Sequence, residues 1–441
     1  MADGKTLIVY MNGERAATWS VRRATHELAY EPEWVRATRG RPLSLSLPFL
    51  PGNQVHRGDA VRSFFENLLP DRPEVRNRLR DRFHTESAAA FDLLAEIGRD
   101  CVGAIQLLPP TNEPPTVQKI EGVPLSSDEI TRHLEVVRGL RLPGFDPDDF
   151  RISLAGAQEK TAFLWHREAW HKPIGATPST HIVKLPLGGI GGLGSTGAGS
   201  IENEWLCSKI LAAFGLPAVE TQMARFGTMQ VLIVERFDRR LSDDGDWWVR
   251  LPTEDFCQVK GMPPEKKYEA DGGPGIDDVL KVLAGSVSPA EERARFLKTQ
   301  IVFWLLAAPD GHAKNFSIFL GPRGAYRMTP LYDVLSVYPW MGDGVDRISV
   351  QNLKMAMAIR GKNPHYRWNT IRRRHWEETA RRNGLSGILD TLIPEVIDHT
   401  SQVVESVRSD LPPDFPEEIA GSIFAGMDRA AARLAADATT K

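Results

Sequence analysis

Residues 307–317 read Ala-Ala-Pro-Asp-Gly-His-Ala-Lys-Asn-Phe-Ser, and what surrounds them decides the fold. Upstream, Pro289 to Ala308 ends in the apolar run Ile301 to Ala308 and predicts a long helix. Pro309 closes it, so Asp310 opens a polar loop. Asn315 stands five residues after Asp310, immediately before a predicted hairpin over Phe316 to Met328 with a Gly-Pro-Arg-Gly turn. Asp333, in Pro330-Leu-Tyr-Asp-Val334, lies just past the second strand.

Phosphoryl transfer needs one carboxylate to orient an attacking hydroxyl and accept its proton, and oxygen donors to hold Mg²⁺ against the phosphates. Protein kinases meet this with an Asp, an Asn five positions on, and a metal-binding Asp after a short hairpin. Asp310, Asn315 and Asp333 reproduce that order. Taken singly, each has a plainer reading: a turn cap, a strand start and a helix cap. The shared hairpin favours the chemical one. His312, between them, has no His or Cys at metal spacing, so a loop-structuring hydrogen bond is preferred over a role as base.

Such chemistry also needs a cation on the phosphates. Lys184, in the strand-like His181-Ile-Val-Lys-Leu-Pro186, is flanked by apolar residues and must find a partner or a ligand. The next predicted helix, Ile201 to Phe214, has Ser200 as expected N-cap and Gly215 as expected C-cap. Its first turn carries Glu202 and Glu204. Glu204 is the preferred partner for Lys184, being one turn from Ile201 and Ser208; a snorkelling lysine and a dipole-serving glutamate are the plainer alternative. Ser153-Leu-Ala-Gly-Ala-Gln-Glu-Lys160 joins two expected strands with residues small enough for backbone N–H groups to approach a phosphate, a weak signal on pattern alone. Val234-Glu-Arg-Phe-Asp-Arg239 leaves an apolar strand, its backbone suited to an adenine edge and Phe237 to the base, with a charged strand end as the equal alternative. The run Gly188 to Gly199 reads as a flexible loop with no assigned site.

Strand-like segments fill the first half: Thr6 to Met11, Leu43 to Leu47, Ala104 to Leu108, Thr161 to Trp165, His181 to Leu185 and Met229 to Val234. Helices are expected at Asp59 to Leu69, Ser87 to Ile97 and Ser127 to Gly139, then at Asp277 to Ala284, Asn369 to Asn383, Glu395 to Arg408 and Pro416 to Ala436. The expected class is α+β and two-lobed. Residues 1–110 form an amino-terminal α+β subdomain, 111–149 a Pro-rich connector, 150–255 a strand-rich nucleotide-binding lobe and 256–441 an all-helical lobe. With 54 basic and 57 acidic residues the net charge is −3, which gives no global attraction to nucleic acid or membrane. No apolar run is long enough to span a bilayer, and no signal-peptide pattern opens the chain. Cys101, Cys207 and Cys257 lack metal spacing and read as buried thiols of a cytoplasmic protein.

These motifs together resemble the HipA family of bacterial toxin–antitoxin kinases. The resemblance runs end to end. PLSLSLP (Pro42 to Pro48), FFENLLPD (Phe64 to Asp71) and FDLLAEIGRDCVGAIQL (Phe91 to Leu107) are similar to that family's first subdomain. FRISLAGAQEKTA (Phe150 to Ala162), THIVKLP, VERFDRR, DGGPGI (Asp271 to Ile276), DGHAKNFS and LYDVLS are similar to its kinase core.

The resemblance implies a protein-kinase-like fold, ATP and Mg²⁺ as cofactors, and phosphorylation of serine or threonine. It implies Asp310 as catalytic base and Asn315 and Asp333 as Mg²⁺ ligands. Nucleotide contacts would come from Lys184, from Leu154, Ala155, Gly156, Ala157, Gln158 and Glu159, from Glu235, Arg236 and Phe237, and from His312, Ala313 and Lys314. Ser153 would be autophosphorylated. A helix-turn-helix antitoxin of the HipB type, operator DNA bound through that complex, and an aminoacyl-tRNA synthetase substrate such as the glutamyl enzyme are the implied partners, with growth arrest or persistence as outcome. Pro309 directly before Asp310 departs slightly from the family and would stiffen the start of the loop. Arg372, Arg373, Arg374, Arg381 and Arg382 form the strongest basic cluster. Arg381 and Arg382 are candidate DNA contacts, a solvated helix face being the preferred reading. The competing functions are a small-molecule phosphotransferase using the same residues, and a non-catalytic DNA-binding corepressor.

Overall fold

The structure, a computed structural model, describes residues 4–139, 154, 158–187, 197–344 and 347–437. The chain weaves between two compact units, one of Met1–Leu185, Arg225–Lys267 and Ser317–Tyr326, the other of Pro186–Ala224, Tyr268–Phe316 and Arg327–Lys441.

In the first unit, an antiparallel sheet runs in the order His56–Arg57, Thr25–Tyr30, Glu14–Arg22, Lys5–Met11, Ile105–Leu108. The period-two rule places Leu7, Val9 and Met11 on one face of Lys5–Met11. They join Trp19, Phe64, Phe65, Leu93 and Leu94 in the main core, while Ile8, Tyr10 and Leu108 form a small cluster of their own. Trp19 stacks on Phe65 with ring centroids 3.7 Å apart. The expected strand at Leu43 to Leu47 is instead a turn. Its alternation arises because Leu43 and Leu47 are buried while Ser44 and Ser46 use their hydroxyls on buried polar groups, Ser46 donating to the Gln258 carbonyl at 2.6 Å. Leu45 N–H donates to Glu254 Oε1 at 2.8 Å.

Five strands of a six-stranded sheet also belong to this unit, in the order Met229–Glu235, His181–Lys184, Lys160–His166, Ala169–Pro173, Gly122–Pro124. Lys184 therefore sits between Lys160 and Leu232 in register. The helix Ser127–Val137 is opened by a capping box, Ser126 N–H donating to Glu129 at 2.8 Å and Glu129 N–H to Ser126 Oγ at 3.3 Å. Strand Thr253–Asp255 pairs antiparallel with Ser317–Leu320, the first strand of the predicted hairpin.

The second unit is dominated by helices Ser200–Ala213, Ile276–Leu283, Pro289–Leu305, Arg373–Arg382, Ser386–Ser409 and Glu417–Ala436. Three details differ from expectation. Ser200 is the first helical residue, not the cap: Gly199 caps at φ 75°, and the Ser200 hydroxyl accepts from Leu187 N–H at 3.0 Å. The helix expected from Glu395 begins at Ser386 and runs through Pro394, a loss of one helical hydrogen bond offset by burying Leu389, Leu392, Ile393 and Val396. A hairpin of Lys354–Arg360 and Pro364–Arg367 interrupts what was expected to be all helix. At the core, the Trp304 and Trp368 indoles each donate to the other's carbonyl, at 3.1 and 2.8 Å, beneath the Arg433 guanidinium.

Candidate active site

The Asp310 loop hangs from the helix Pro289–Leu305. Ala308 N–H bonds the Phe303 carbonyl at 2.8 Å, with Ala307 left-handed at φ 45°, so the chain leaves the helix in a sharp turn. Gly311 has no room for a side chain: a Cβ there would lie 2.7 Å from the buried Phe303 ring. His312 N–H then donates to the Asp310 carbonyl at 2.8 Å, and Asn315 N–H to the His312 carbonyl at 2.9 Å. The Asn315 amide nitrogen donates to the Asp310 carbonyl at 2.8 Å and contacts the Asp333 carbonyl at 3.5 Å. The amide oxygen is thereby turned away from both backbones and is available as a hard donor.

Asp333 is left-handed, φ 61°, a conformation Asp tolerates better than most residues and one that recurs at functional sites. Tyr332 anchors it by donating its phenol to the Lys314 carbonyl at 2.9 Å. Asp310, Asn315 and Asp333 are thus gathered by hydrogen bonds through the Asp310 and Asp333 backbones. An Asn oxygen and one carboxylate suit Mg²⁺, which keeps waters and phosphate oxygens in its shell rather than needing an all-protein cage.

Two residues that the sequence reading passed over support this constellation. Asn203 exchanges hydrogen bonds with Ser336, its amide donating to the Ser336 carbonyl at 2.7 Å and its oxygen accepting from Ser336 N–H at 2.9 Å. The helix that carries Glu204, itself buried, is thereby clamped to the segment that carries Asp333. Tyr268 donates its phenol to Asp310 Oδ1 at 2.7 Å, and its ring lies edge-on to His312 at 5.1 Å. It stands three residues before the Asp271 to Ile276 motif, the one signal that could have drawn attention to it.

In the other unit Lys184 is buried at the end of its strand. Of the expected phosphate loop, Leu154 is buried, the Gln158 amide donates to the Leu185 carbonyl at 2.6 Å, and Glu159 pairs with Arg78 at 2.7 Å. Ser153 and Ala155, Gly156 and Ala157 lie outside the described residues. Glu235 is exposed, and Phe237 packs edge-on against Phe319 with centroids 5.8 Å apart.

Arg236 is built in rather than displayed. Its N–H donates to the Thr180 carbonyl at 2.9 Å and its carbonyl accepts from Arg239 N–H at 3.1 Å. Its guanidinium lies on Asp238 at 2.9 Å and reaches Asp100 at 3.4 Å. Arg239 and Arg250 complete this buried cluster. Burial alone would raise the pKa of Asp100, but the three guanidiniums and the Ser179 hydroxyl outweigh it and hold the carboxyl far below its usual range.

Three basic residues of the helix Arg373–Arg382 are matched by acids of the same unit, while Arg374 lies against His375. Arg381 pairs with Glu378 at 2.7 Å, Arg382 with Asp277 at 3.7 Å and Arg373 with Glu377 at 3.1 Å. That pattern is what a solvated, internally neutralised helix face looks like.

Comparison with known proteins agrees with these motifs. The HipA N-terminal domain matches residues 7–108 and the HipA-like C-terminal domain residues 152–409, more than half of the chain. The chain is 31% identical to Y4mE of Sinorhizobium fredii over 87% of its own length and 86% of that protein. It is 26% identical to the serine/threonine-protein kinase toxin HipA of Shewanella oneidensis, covering 76% of this chain and 77% of that one. Among solved structures, HipA in the Shewanella oneidensis complex of HipA, HipB and operator DNA superposes with a TM-score of 0.80 at 22% identity, over 98% of this chain and 97% of that one, a likeness of fold. No helix among the described residues is long and apolar enough to cross a membrane. With both of its domains matched and the two-lobed kinase-like fold shared, the chain belongs to the HipA family of serine/threonine-protein kinases.

Proposed function

We propose that the chain is the toxin of a toxin–antitoxin module, transferring the γ-phosphate of ATP to a serine or threonine hydroxyl of a translation protein. The observation that carries this reading is the Asp310 loop, in which the Asn315 amide ties the backbones of Asp310 and Asp333 together and leaves its own oxygen for a metal. Asp310 orients the acceptor hydroxyl and takes its proton as the new O–P bond forms and the bond from γ-phosphorus to the bridging oxygen of ADP breaks. Asn315 and Asp333 would hold Mg²⁺, which neutralises charge on the phosphates when bound.

Lys184 serves the phosphates, with Glu204 as its ion-pair partner. The phosphate loop from Leu154 to Glu159 covers the nucleotide, with His312, Ala313 and Lys314 beside it. Glu235 to Phe237 hold the adenine, Arg236 by fixing the backbone of that segment. An aminoacyl-tRNA synthetase, such as the glutamyl enzyme, is the proposed target. Phosphorylation of Ser153 would add roughly two negative charges next to the phosphate loop and silence the enzyme. A HipB-like antitoxin would bind the chain and carry it to operator DNA as corepressor, as in the assembly named for the Shewanella protein. Arg381 and Arg382 would contact DNA there only by exchanging Glu378 and Asp277 for phosphates; the paired, solvated face is the preferred reading. The cytoplasm is the proposed location.

The test is the purified chain and its Asp310→Asn variant, each incubated with radiolabelled ATP, Mg²⁺ and a cell lysate. Wild type is expected to label Ser153 and one dominant lysate protein, and the variant neither. Equal labelling by the variant would remove Asp310 from the chemistry, and label in a small molecule alone would point to a different phosphotransferase.

A further inference from the structure

Asp310 is solvent-exposed, on a loop, and its carboxylate meets only small torsional barriers. A general base must instead present one oxygen to the acceptor in a fixed direction, since a misplacement of about 1 Å can cost about a hundredfold in rate. We propose that Tyr268 is the positioning residue for Asp310: its phenol secures Oδ1 and so aims Oδ2 at the acceptor hydroxyl. The inference rests on Asp310 being the base, and deepens that reading.

The hydrogen bond from the Tyr268 phenol to Oδ1, 2.7 Å long, would mean little if either end were loose. Both ends are fastened to one strand. From Lys354–Arg360, Ala356 N–H donates to the carbonyl of Pro309, the residue before Asp310, at 2.8 Å. Two residues along, Ala358 N–H donates to the carboxylate of Glu269, the residue after Tyr268, at 2.6 Å. Arg360 of the same strand grips the other Glu269 oxygen. Phenol, carboxylate and strand therefore close a ring of hydrogen bonds and covalent chain, Tyr268–Glu269–Ala358–Met357–Ala356–Pro309–Asp310.

The tyrosine side of the ring is stiff. Asp271 N–H and Gly273 N–H both donate to the Tyr268 carbonyl, at 3.1 and 3.0 Å, and the ring edge rests on buried His312. This accounts for a glycine of the Asp271 to Ile276 motif. A Cβ on Gly275 would lie 2.4 Å from the Glu269 carboxyl carbon, so glycine there keeps the carboxylate free to reach the strand.

The experiment measures initial rates of phosphate incorporation into the chain itself, and of phosphate release to water, over a range of Mg·ATP concentrations. Tyr268→Phe keeps the ring against His312 and removes only the hydroxyl. It is expected to lower kcat about tenfold with KM for ATP unchanged and an unaltered melting temperature. Glu269→Gln weakens the anchor without touching the phenol and is expected to lower kcat by less, again with KM for ATP unchanged. Combining Tyr268→Phe with Asp310→Asn is expected to add nothing to Asp310→Asn alone, because a positioning group acts only through the group it positions. Wild-type kcat in Tyr268→Phe would overturn the proposal, whatever Glu269→Gln did. So would a faster Tyr268→Phe, since the phenol would then compete with the acceptor for Asp310. If Asp310→Asn itself turned over normally, the base assignment would fail first, whatever Tyr268 did.

Discussion

Asp100 and Asp310 are carboxylates placed in opposite circumstances. Asp100 is buried: Ser179 donates to one oxygen from both its N–H, at 3.0 Å, and its hydroxyl, at 2.6 Å, and Arg239 reaches the other at 2.9 Å. Arg236 and Arg250 crowd in at 3.4 and 3.7 Å. Its neighbour Asp238 is as fully engaged, accepting from Arg236 and from Gly103 N–H at 2.7 Å. Asp310 stands in solvent with a phenol on one oxygen. A carboxylate that holds a scaffold together uses every lone pair on the protein, whereas one that works on a substrate must keep a lone pair for it. The contrast is the one that a scaffold role for Asp100 and the proposed base role for Asp310 require.

The largest expected effect breaks the scaffold end of this contrast. Asp100→Asn leaves three buried guanidiniums facing a single remaining carboxylate, Asp238. Removing one partner of a buried ion cluster costs about 3–5 kcal/mol. The urea midpoint of the first unit should fall accordingly, and a loss under about 1 kcal/mol would mean the cluster is no better than a surface pair. Because the folded Asp100 carboxyl is held far below its ordinary value, its contribution is present above the unfolded value of 3.8 and is lost only as the pH falls through the folded one. The Asn variant should therefore lose most of that acid-limb dependence.

A smaller effect is expected from the backbone that feeds the cluster. Gly103 is left-handed at φ 75°, and a Cβ would sit 2.9 Å from the Thr253 carbonyl oxygen. Gly103→Ala is expected to cost about 1–2 kcal/mol from conformation alone, with the close contact in addition. A midpoint equal to wild type would show that this segment can shift without loosening Asp238.

The same contrast explains what the sequence disclosed. The gathering of Asp310, Asn315 and Asp333 was legible because they lie within a short span, joined by a predicted hairpin. Lys184 was legible as a charge among apolar residues on a strand. The buried cluster was not: Asp100 and Arg236 are 136 residues apart, and nothing local marks either as a partner. Tyr268 was missed for the same reason, 42 residues from Asp310. The strand Lys354–Arg360 escaped because Met355 to Ile359 are all buried, so the alternation that betrays a half-exposed strand is absent. The Leu43 to Leu47 segment failed in the opposite way, having perfect alternation imposed by serine hydroxyls rather than by a sheet.

Those serines lead to the last prediction, at a carboxyl that belongs to neither class. Glu254 is wholly buried between Ser44 and the Leu45 N–H, with no cation on it among the described contacts. Burial pushes its pKa up to about 8, against the opposing pull of the Ser44 and Leu45 hydrogen bonds. The Ser44 hydroxyl is also within 3.1 Å of the Gln258 carbonyl, to which its proton can turn, leaving the serine oxygen to accept from a neutral Glu254. The raised pKa favours the protonated acid at neutral pH, where Asp100 is an anion. The linkage has the opposite sign. A folded pKa above the ordinary 4.5 means that the native state binds the extra proton. Its stabilising contribution is full below the unfolded value, falls as the pH rises between about 4.5 and 8, and levels off above. Glu254→Gln keeps the shape and a donor for Ser44 but cannot ionise, so its stability should be nearly flat across that window and should exceed wild type at its alkaline end. Urea midpoints measured at both ends of the window decide it. A wild-type midpoint that does not decline between them would mean that Glu254 is already ionised at the acid end, held by its two donors in the way that Asp100 is held by its arginines.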